Sequence, residues 1–451
     1  MTPASRSEGR SGPARDWLDA HVNLERGDRL TDPSASVPSP TLDRIQHLVA
    51  VLGDPQTAYP VVHVTGTNGK SSTARMTAAL LAAKGLSVGL YTSPHLTHVN
   101  ERLQWNGQWI DDEALDGLLD AIRGVEDLVL EATGRTPTFF EIMTAAAFMW
   151  FADNAVDAAV IEVGLGGTWD ATNVADATVA VVTNIGIDHV EFLGPTRYGI
   201  AKEKAGIVKE GSILILGETD PELVPLFEAG PTPSRIHRRD VDFGVRANTM
   251  AHEGRLVTLY APGGEYDEVF LRAHGAHQAD NAACALAAAE SFFGYERFEA
   301  SVAEVAFGGL ELPGRLEVVG RHPLVLLDGA HNAEGAEALA ASLAEEFPSG
   351  GRTLVVGMLR ERDPQEMLEA LGLLEAERLV VCRPPSPRAL DPEALAAAAQ
   401  AAAMPRAMID VADSVPEALA RALAVTPDDG QVVVTGSLYT VGAARAVLVP
   451  R

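Results

Sequence analysis

The stretch that decides the fold runs Val61-Val62-His63-Val64-Thr65-Gly66-Thr67-Asn68-Gly69-Lys70-Ser71-Ser72. Its first five residues are mostly β-branched and read as a strand. A helical pattern follows from about Ser71 to Lys84 and is stopped by Gly85. Between the two, glycines let backbone N–H groups turn inward around phosphates. The helix N-terminus adds partial positive charge there, and Lys70 can reach β and γ oxygens. A full P-loop spacing would place glycine at position 64, where Val64 stands. An ordinary Gly-containing strand–helix turn is the plainer alternative, but the position and the Gly-Lys-Ser ending favour an ATP or GTP site.

Working outward, further strands are predicted at Ser87–Tyr91, Ala158–Val163, Thr178–Thr183 and Ile213–Leu216, with helices between them. That alternation implies βαβ units and a mostly parallel sheet. Residues Arg235 to Leu271 alternate in short runs broken by Gly, Asn and Pro, which suggests a small antiparallel ribbon. A helix from about His277 to Phe293 follows. The stretch Leu310–Arg315, with Pro313-Gly314, reads as a linker. Beyond it, strands at Leu324–Leu327, Thr353–Val356, Leu379–Cys382 and Val432–Thr435 alternate with Ala/Leu-rich helices. The expected layout is a tail over 1–40, a central P-loop-type α/β domain over 41–309, a linker over 310–321, and a smaller Rossmann-like α/β domain over 322–451. The tail carries Arg6, Arg10 and Arg15 without an apolar run, so it is expected to be disordered rather than a signal peptide.

With 451 residues, 47% of them hydrophobic, the chain can bury two such cores. Its net charge of −27 argues against a nucleic-acid backbone or an anionic membrane as partner. A small anionic substrate held by local Lys and Arg is still allowed. Cys284 and Cys382 stand alone, so neither a disulfide framework nor a zinc set is expected. No apolar run approaches the ~20 residues of a membrane helix. A cytoplasmic protein is expected.

Ligands of an open parallel sheet bind beyond the carboxyl ends of its strands. Glu162, Ser93, Asp188 and His189 all fall at such ends. Glu162 and Ser93 suit magnesium, which prefers oxygen ligands. His189 reads equally as a ligand or as a capping or core histidine. Lys204, in Lys202-Glu203-Lys204, reads on composition as an exposed helical lysine. Asp328 and Asn281 could serve as caps or face solvent, and one of Phe139 and Phe140 is expected in the core.

The loop Gly66-Thr67-Asn68-Gly69-Lys70 resembles that of the Mur ligase superfamily. The remaining motifs narrow the resemblance to folylpolyglutamate and dihydrofolate synthases. They are Tyr91-Thr92-Ser93-Pro94-His95-Leu96, Asn100-Glu101-Arg102, Glu162-Val163-Gly164-Leu165-Gly166-Gly167, Asp170-Ala171-Thr172-Asn173, Thr183-Asn184-Ile185-Gly186-Ile187-Asp188-His189, Glu203-Lys204-Ala205-Gly206-Ile207, Pro313-Gly314-Arg315, Asp328-Gly329-Ala330-His331-Asn332 and Gly436-Ser437-Leu438-Tyr439-Thr440. The resemblance implies a ligase that phosphorylates a folate carboxylate with ATP and lets L-glutamate displace the phosphate.

It implies ATP on Thr67, Asn68, Gly69, Lys70, Ser72, Asn281, Arg315 and Asp328. It implies two magnesium ions, one on Ser93 and Glu162 and one on His189, with Lys204 carbamylated beside them. Lys70, Lys204, Asp170 and His331 are the implied catalytic groups. The pterin falls to Thr138, Phe139, Phe140, Glu141, Trp169, Asp170 and Ala171, and glutamate to His331 and Ser437. A monomer acting only on small molecules is expected. This chain departs from the pattern in carrying Thr168-Trp169 where relatives often have Arg, Val37-Pro38-Ser39-Pro40 before the first helix, and Ser71 in place of Gly. The first two weaken the expectation that dihydropteroate is also a substrate. The competing readings are a cell-wall ligase acting on a UDP-linked peptide and a nucleotide-gated binding protein without ligase chemistry.

Overall fold

A computed structural model describes residues 12–27, 41–229, 233–348 and 351–449. Its larger sheet has eight strands, in the order Gln108–Trp109, Leu103–Trp105, Val88–Tyr91, Ala158–Glu162, Val61–Thr65, Ala177–Val182, Ile213–Leu216 and Arg235–Arg238. The six from Val88–Tyr91 onward run parallel, and the hairpin at the other edge is antiparallel. Val61–Thr65 and Ala158–Glu162 are buried at every position, as strands covered by helices on both faces must be. Alternate side chains go to opposite layers. Val62, Val64 and Val160 pack with the helices Lys70–Ala83 and His277–Phe292. Val61, Ala159 and Ile161 pack with Phe139–Asp153 and its neighbours.

A three-stranded antiparallel ribbon, Gly244–Ala251, Gly254–Ala261 and Gly264–Leu271, adds Val257, Leu259 and Val269 to the first of these layers. Arg235–Arg238 is not part of it. That segment pairs in parallel with Ile213–Leu216 at the sheet edge, where polar residues are tolerated because one side faces water.

The second sheet has six strands, in the order Glu317–Arg321, Leu324–Leu327, Gln431–Thr435, Arg352–Val356, Arg378–Cys382 and Ile409–Ala412. All pair in parallel except the first, and a hydrophobic cluster covers each face. Because Glu317–Arg321 is a strand of this sheet, the connection between domains is shorter than the expected 310–321.

The expected tail is also ordered in part. Pro13–Asp19 is a helix that buries Ala14 and Leu18, and Arg15 pairs with Asp112 and Asp116. Three residues on one helical face supply contacts that composition does not reveal. Residues 1–11 and 28–40, which include Val37-Pro38-Ser39-Pro40, lie outside the described residues.

Candidate active site

The helix Lys70–Ala83 starts at Gly69, whose φ is 81°. A Cβ at this position would also come within 2.2 Å of Asn281 Oδ1, so glycine is required twice over. Asn281, on the helix His277–Phe292, therefore sits directly under the loop, with its Nδ2 donating to Gln278 Oε1 at 2.9 Å. The next loop of the sheet clamps the phosphate loop from the side. Thr67 N and Asn68 N donate to Asn184 Oδ1 at 3.2 and 2.8 Å, and Thr183 Oγ1 donates to Asn68 O at 2.6 Å. The first intrahelical bond runs from Thr73 N to Gly69 O, so the N–H groups of Lys70, Ser71 and Ser72 have no helical partner and are available to an anion.

Two ammonium groups converge on one carbonyl. Lys70 Nζ donates to Gly66 O at 3.0 Å and to Thr67 O at 3.1 Å, and Lys204 Nζ donates to Gly66 O at 2.7 Å. Lys204 is only 4% exposed, so the exposed-helix alternative fails, whereas Lys202 does face solvent. Its helix, Arg197–Ala205, approaches this closely because Gly167 has no side chain: a Cβ there would meet Glu203 O at 2.7 Å. Burial, and then the charge of Lys70, bring the Lys204 amine down to about 7. Burial lowers Lys70 as well, against the pull of Glu162 and Asp188.

Glu162 is buried at the end of its strand. Its Oε1 accepts from Ser71 Oγ at 2.6 Å and its Oε2 from Ser93 N at 3.1 Å. Burial raises it above the ordinary carboxylate range despite Lys70. Ser71 directly follows the loop lysine, and that place is the sequence signal for a hydroxyl at this carboxylate. Ser72 is buried in the wall of the adjoining cavity.

Asp188 joins the two domains. It accepts from His189 N at 2.7 Å and from Asn332 Nδ2 at 3.3 Å, lies 3.6 Å from His331 Nε2, and pairs with Arg362. Burial pushes it up, but His331, His189 and Arg362 together hold it well below the usual range. His189 has φ 50°, and burial lowers it to about 3, so its imidazole is neutral. Gly66, Thr67, Lys70, Asp188, His189 and Lys204 line one small pocket. Arg362 was not foreseen, because its partner lies in the other domain.

From the second sheet, Asp328 accepts from Leu316 N and Ala330 N, both at 2.9 Å, which fixes the turn that carries His331. His331 Nδ1 donates to Gly329 O at 2.8 Å. Asn332, rather than Asp328, caps the helix Ala333–Glu346. Asn332 also donates to Asn68 Oδ1 at 3.1 Å, while Asn68 Nδ2 donates to Glu334 Oε2 at 3.2 Å. Ser437 caps Leu438–Leu448 by accepting from Thr440 N at 3.2 Å and is buried. Arg315 lies at the domain junction with Nη1 3.3 Å from Gly314 O. It helps line a cavity of about 370 Å³ between the loop helix and the second domain.

The pterin candidates divide. Thr138 and Glu141 form a capping box for Phe139–Asp153, and Glu141 also pairs with Arg44 at 2.9 Å. Phe139 is a core residue beneath the Arg102 guanidinium. The cap, the ion pair and the core packing therefore fix these three residues in place. Phe140 packs against Gly164, Trp169 is half exposed, and Ala171 is buried. Asp170 accepts from Leu165 N at 2.8 Å and Thr172 N at 3.0 Å, and burial raises it to about 6.

A phosphate loop whose Asn68 bonds Asn332 and Glu334 of a second α/β domain marks a nucleotide-dependent enzyme that works between its two domains. Comparison with known proteins agrees. Residues 64–289 match the Mur ligase middle domain, and residues 314–438 match the Mur ligase, glutamate ligase domain. The chain is 40% identical over 438 residues to the dihydrofolate synthase/folylpolyglutamate synthase of Mycobacterium tuberculosis, covering 90% of each. The structure of Mycobacterium tuberculosis folylpolyglutamate synthase complexed with ADP superposes with a TM-score of 0.88 at 37% identity, covering 97% of this chain and 98% of that one. Escherichia coli FolC in complex with DHPP and ADP gives 0.81 at 30% identity, covering 97% and 98%. The chain belongs to the folylpolyglutamate synthase/dihydrofolate synthase family of Mur ligases. It is an ATP-dependent, glutamate-attaching ligase of folate metabolism.

Proposed function

We propose that this enzyme joins L-glutamate to the terminal carboxylate of tetrahydrofolate, with dihydropteroate as a second acceptor. The observation that carries the reading is the meeting of the two sheets. Lys70 and Lys204 converge on Gly66 O from one side, while His331 and Arg362 reach Asp188 from the other. The acceptor carboxylate attacks the γ-phosphate, forming a C–O–P linkage and releasing ADP. The glutamate amine then attacks the acyl carbon and expels phosphate. Lys70 lowers the repulsion between two approaching anions, the main requirement of phosphoryl transfer. The first-turn N–H groups hold phosphate oxygens, Asn281 takes the adenine, Arg315 takes the phosphates, and Asp328 sets the turn from which His331 meets the incoming amine. Closing the cleft excludes water from the acyl phosphate.

The donor set fits the implied metal. Glu162 with the hydroxyls of Ser71 and Ser93 offers hard oxygen ligands for one magnesium ion, and neutral His189 offers a ligand for a second. When bound, magnesium neutralises phosphate charge. Lys204 as an ammonium would oppose the second cation; as a carbamate it would attract it. A neutral amine adds carbon dioxide, forming an N–C bond and losing one proton. Its depressed value of about 7 makes the neutral form abundant. The domains would then be a nucleotide-binding unit over 41–309 and a glutamate-binding unit that begins at Glu317, acting as a cytoplasmic monomer. Among the described residues no helix is long and apolar enough to cross a membrane.

The test is to offer tetrahydrofolate and dihydropteroate separately with ATP and L-glutamate and to identify products by mass. Expected are the glutamylated folate with ADP and phosphate. Turnover of a UDP-linked peptide with neither pterin used would overturn the reading.

A further inference from the structure

The helix that begins at the phosphate loop carries a half-buried face that runs on beyond the phosphate-binding turn and opens on a cavity. Ser71, Ser72, Arg75, Ala78, Ala79 and Ala82 recur at helical spacing and form one wall of the 370 Å³ cavity. From Ser71 to Ala82 this wall is roughly 16 Å long. One end lies at the Ser71–Glu162 hydrogen bond and Ser93, where the reacting carboxylate belongs; the other is floored by alanines that leave room for a chain.

Arg75 stands one turn from the reacting end. Among the described residues it makes no hydrogen bond and no ion pair, although its guanidinium is largely desolvated. The acids whose charge reaches it, Glu162, Glu101 and Glu311, form no ion pair with it among the described residues. Glu162 is held by Ser71 and Ser93. Glu101 accepts from Leu96 N, Thr97 N and His98 N at 2.8 to 3.0 Å, and Glu311 is exposed. A half-buried guanidinium with unspent donors, opening on a cavity, is a carboxylate receptor.

Resting on the ligase reading above, we propose that Arg75 binds the α-carboxylate of the acceptor's terminal glutamyl residue. The γ-carboxylate of that residue then lies at the loop end of the wall, beside the metal ligands Ser71, Ser93 and Glu162 rather than on them, and the remainder of the acceptor runs along the alanine-floored trough. Arg75 thereby selects acceptors that already carry a glutamyl residue. Dihydropteroate, with a single carboxylate, gains nothing from it.

The experiment compares wild type with Arg75→Gln on three acceptors: tetrahydrofolate, its α-carboxamide analogue, and dihydropteroate. Losing a charged hydrogen-bond pair should raise KM for tetrahydrofolate by roughly ten- to a hundredfold. KM values for ATP and L-glutamate should stay unchanged. The carboxamide should already be poor with wild type and no poorer with the variant, and any turnover of dihydropteroate should be insensitive. Equal losses on all acceptors, a fall in kcat alone, or an unchanged KM would overturn the proposal while leaving the ligase reading standing. A wild type that glutamylates no folate would remove both. Should Arg75→Gln fail to fold, Ala78→Leu, which fills the trough with the guanidinium intact, should raise the same KM. A normal KM in that variant overturns the proposal too.

Discussion

The two strand-end loops that face each other across the cleft are built on opposite electrostatic terms. On the larger sheet, Lys70, Lys204 and Glu162 are all desolvated, and burial shifts each one toward its neutral form. On the smaller sheet the groups are satisfied: Asp328 accepts two backbone N–H bonds, Asn332 caps a helix, and Arg362 reaches Asp188. Charge held at a cost is charge available to a ligand, because an anion entering the loop relieves the penalty on the two lysines and a cation relieves that on Glu162. Charge already paired positions a neighbour instead. The first surface is therefore arranged for chemistry and the second for placement. Substitutions should separate the two.

The largest effects are expected at Lys70 and Lys204. Lys70→Ala should lower kcat at least roughly a hundredfold, the scale for removing one preorganised charge contact at a reacting phosphate. Release of phosphate from ATP with glutamate and tetrahydrofolate measures it. Activity within a few-fold of wild type would mean that the desolvated surface is not the chemical one.

Lys204→Met should abolish ligation and yet stabilise the fold, since replacing a buried unpaired charge by an apolar side chain of similar volume relieves a desolvation cost. The sign of the pH dependence follows from the depressed amine. In carbon-dioxide-free buffer its cost is absent above the unfolded value of about 10.4, grows as pH falls, and is complete below about 7. The gain in Tm on substitution should therefore be greatest below pH 7 and vanish near pH 10. With ¹³C-labelled bicarbonate, wild type should show a carbamate carbon resonance that the Met variant lacks. A Met variant that ligates normally sinks the carbamate.

The sequence made the central strands legible because they are continuously β-branched and apolar. It hid the edges. Leu103–Trp105, Gln108–Trp109, Arg235–Arg238 and Glu317–Arg321 are polar or short, and only pairing with a neighbour makes them strands. The phosphate loop was legible because its parts are contiguous. The state of Lys204 was not, since its partner Gly66 lies 138 residues away and only Gly167 lets the helix come near. Asp188 and Arg362 meet across two domains, which no local pattern reports. Thr138-x-x-Glu141 carried a readable capping box, and the structure gives both residues that structural work.

A smaller effect is expected at Arg362. Arg362→Ala removes one of several groups that hold Asp188, so catalysis should persist with kcat/KM lower by roughly tenfold, the scale of one charged hydrogen bond. If Arg362 only places the second domain, a low-resolution measure of domain closure with nucleotide bound should change with it. A loss as deep as that of Lys70→Ala would put this residue in the chemistry and erase the contrast between the surfaces.

The smallest effect should come from Ser437, where two readings divide. The resemblance makes it a glutamate contact, whereas the structure buries it and commits its oxygen to Thr440 N and Thr440 Oγ1. If the cap dominates, Ser437→Ala should cost about 1 kcal/mol of stability. The variant Ser437→Asp keeps an N-cap acceptor and adds negative charge at a helix N-terminus, so it should recover that stability. It would also repel a glutamate carboxylate. A thermal melt and a glutamate titration on the two variants therefore give opposite patterns. Stability restored in the Asp variant with KM for glutamate unchanged in both leaves Ser437 a cap that steadies the His331 side of the cleft. A KM raised in the Ala variant and raised further in the Asp variant places glutamate on this residue, and then the second surface binds substrate as directly as the first.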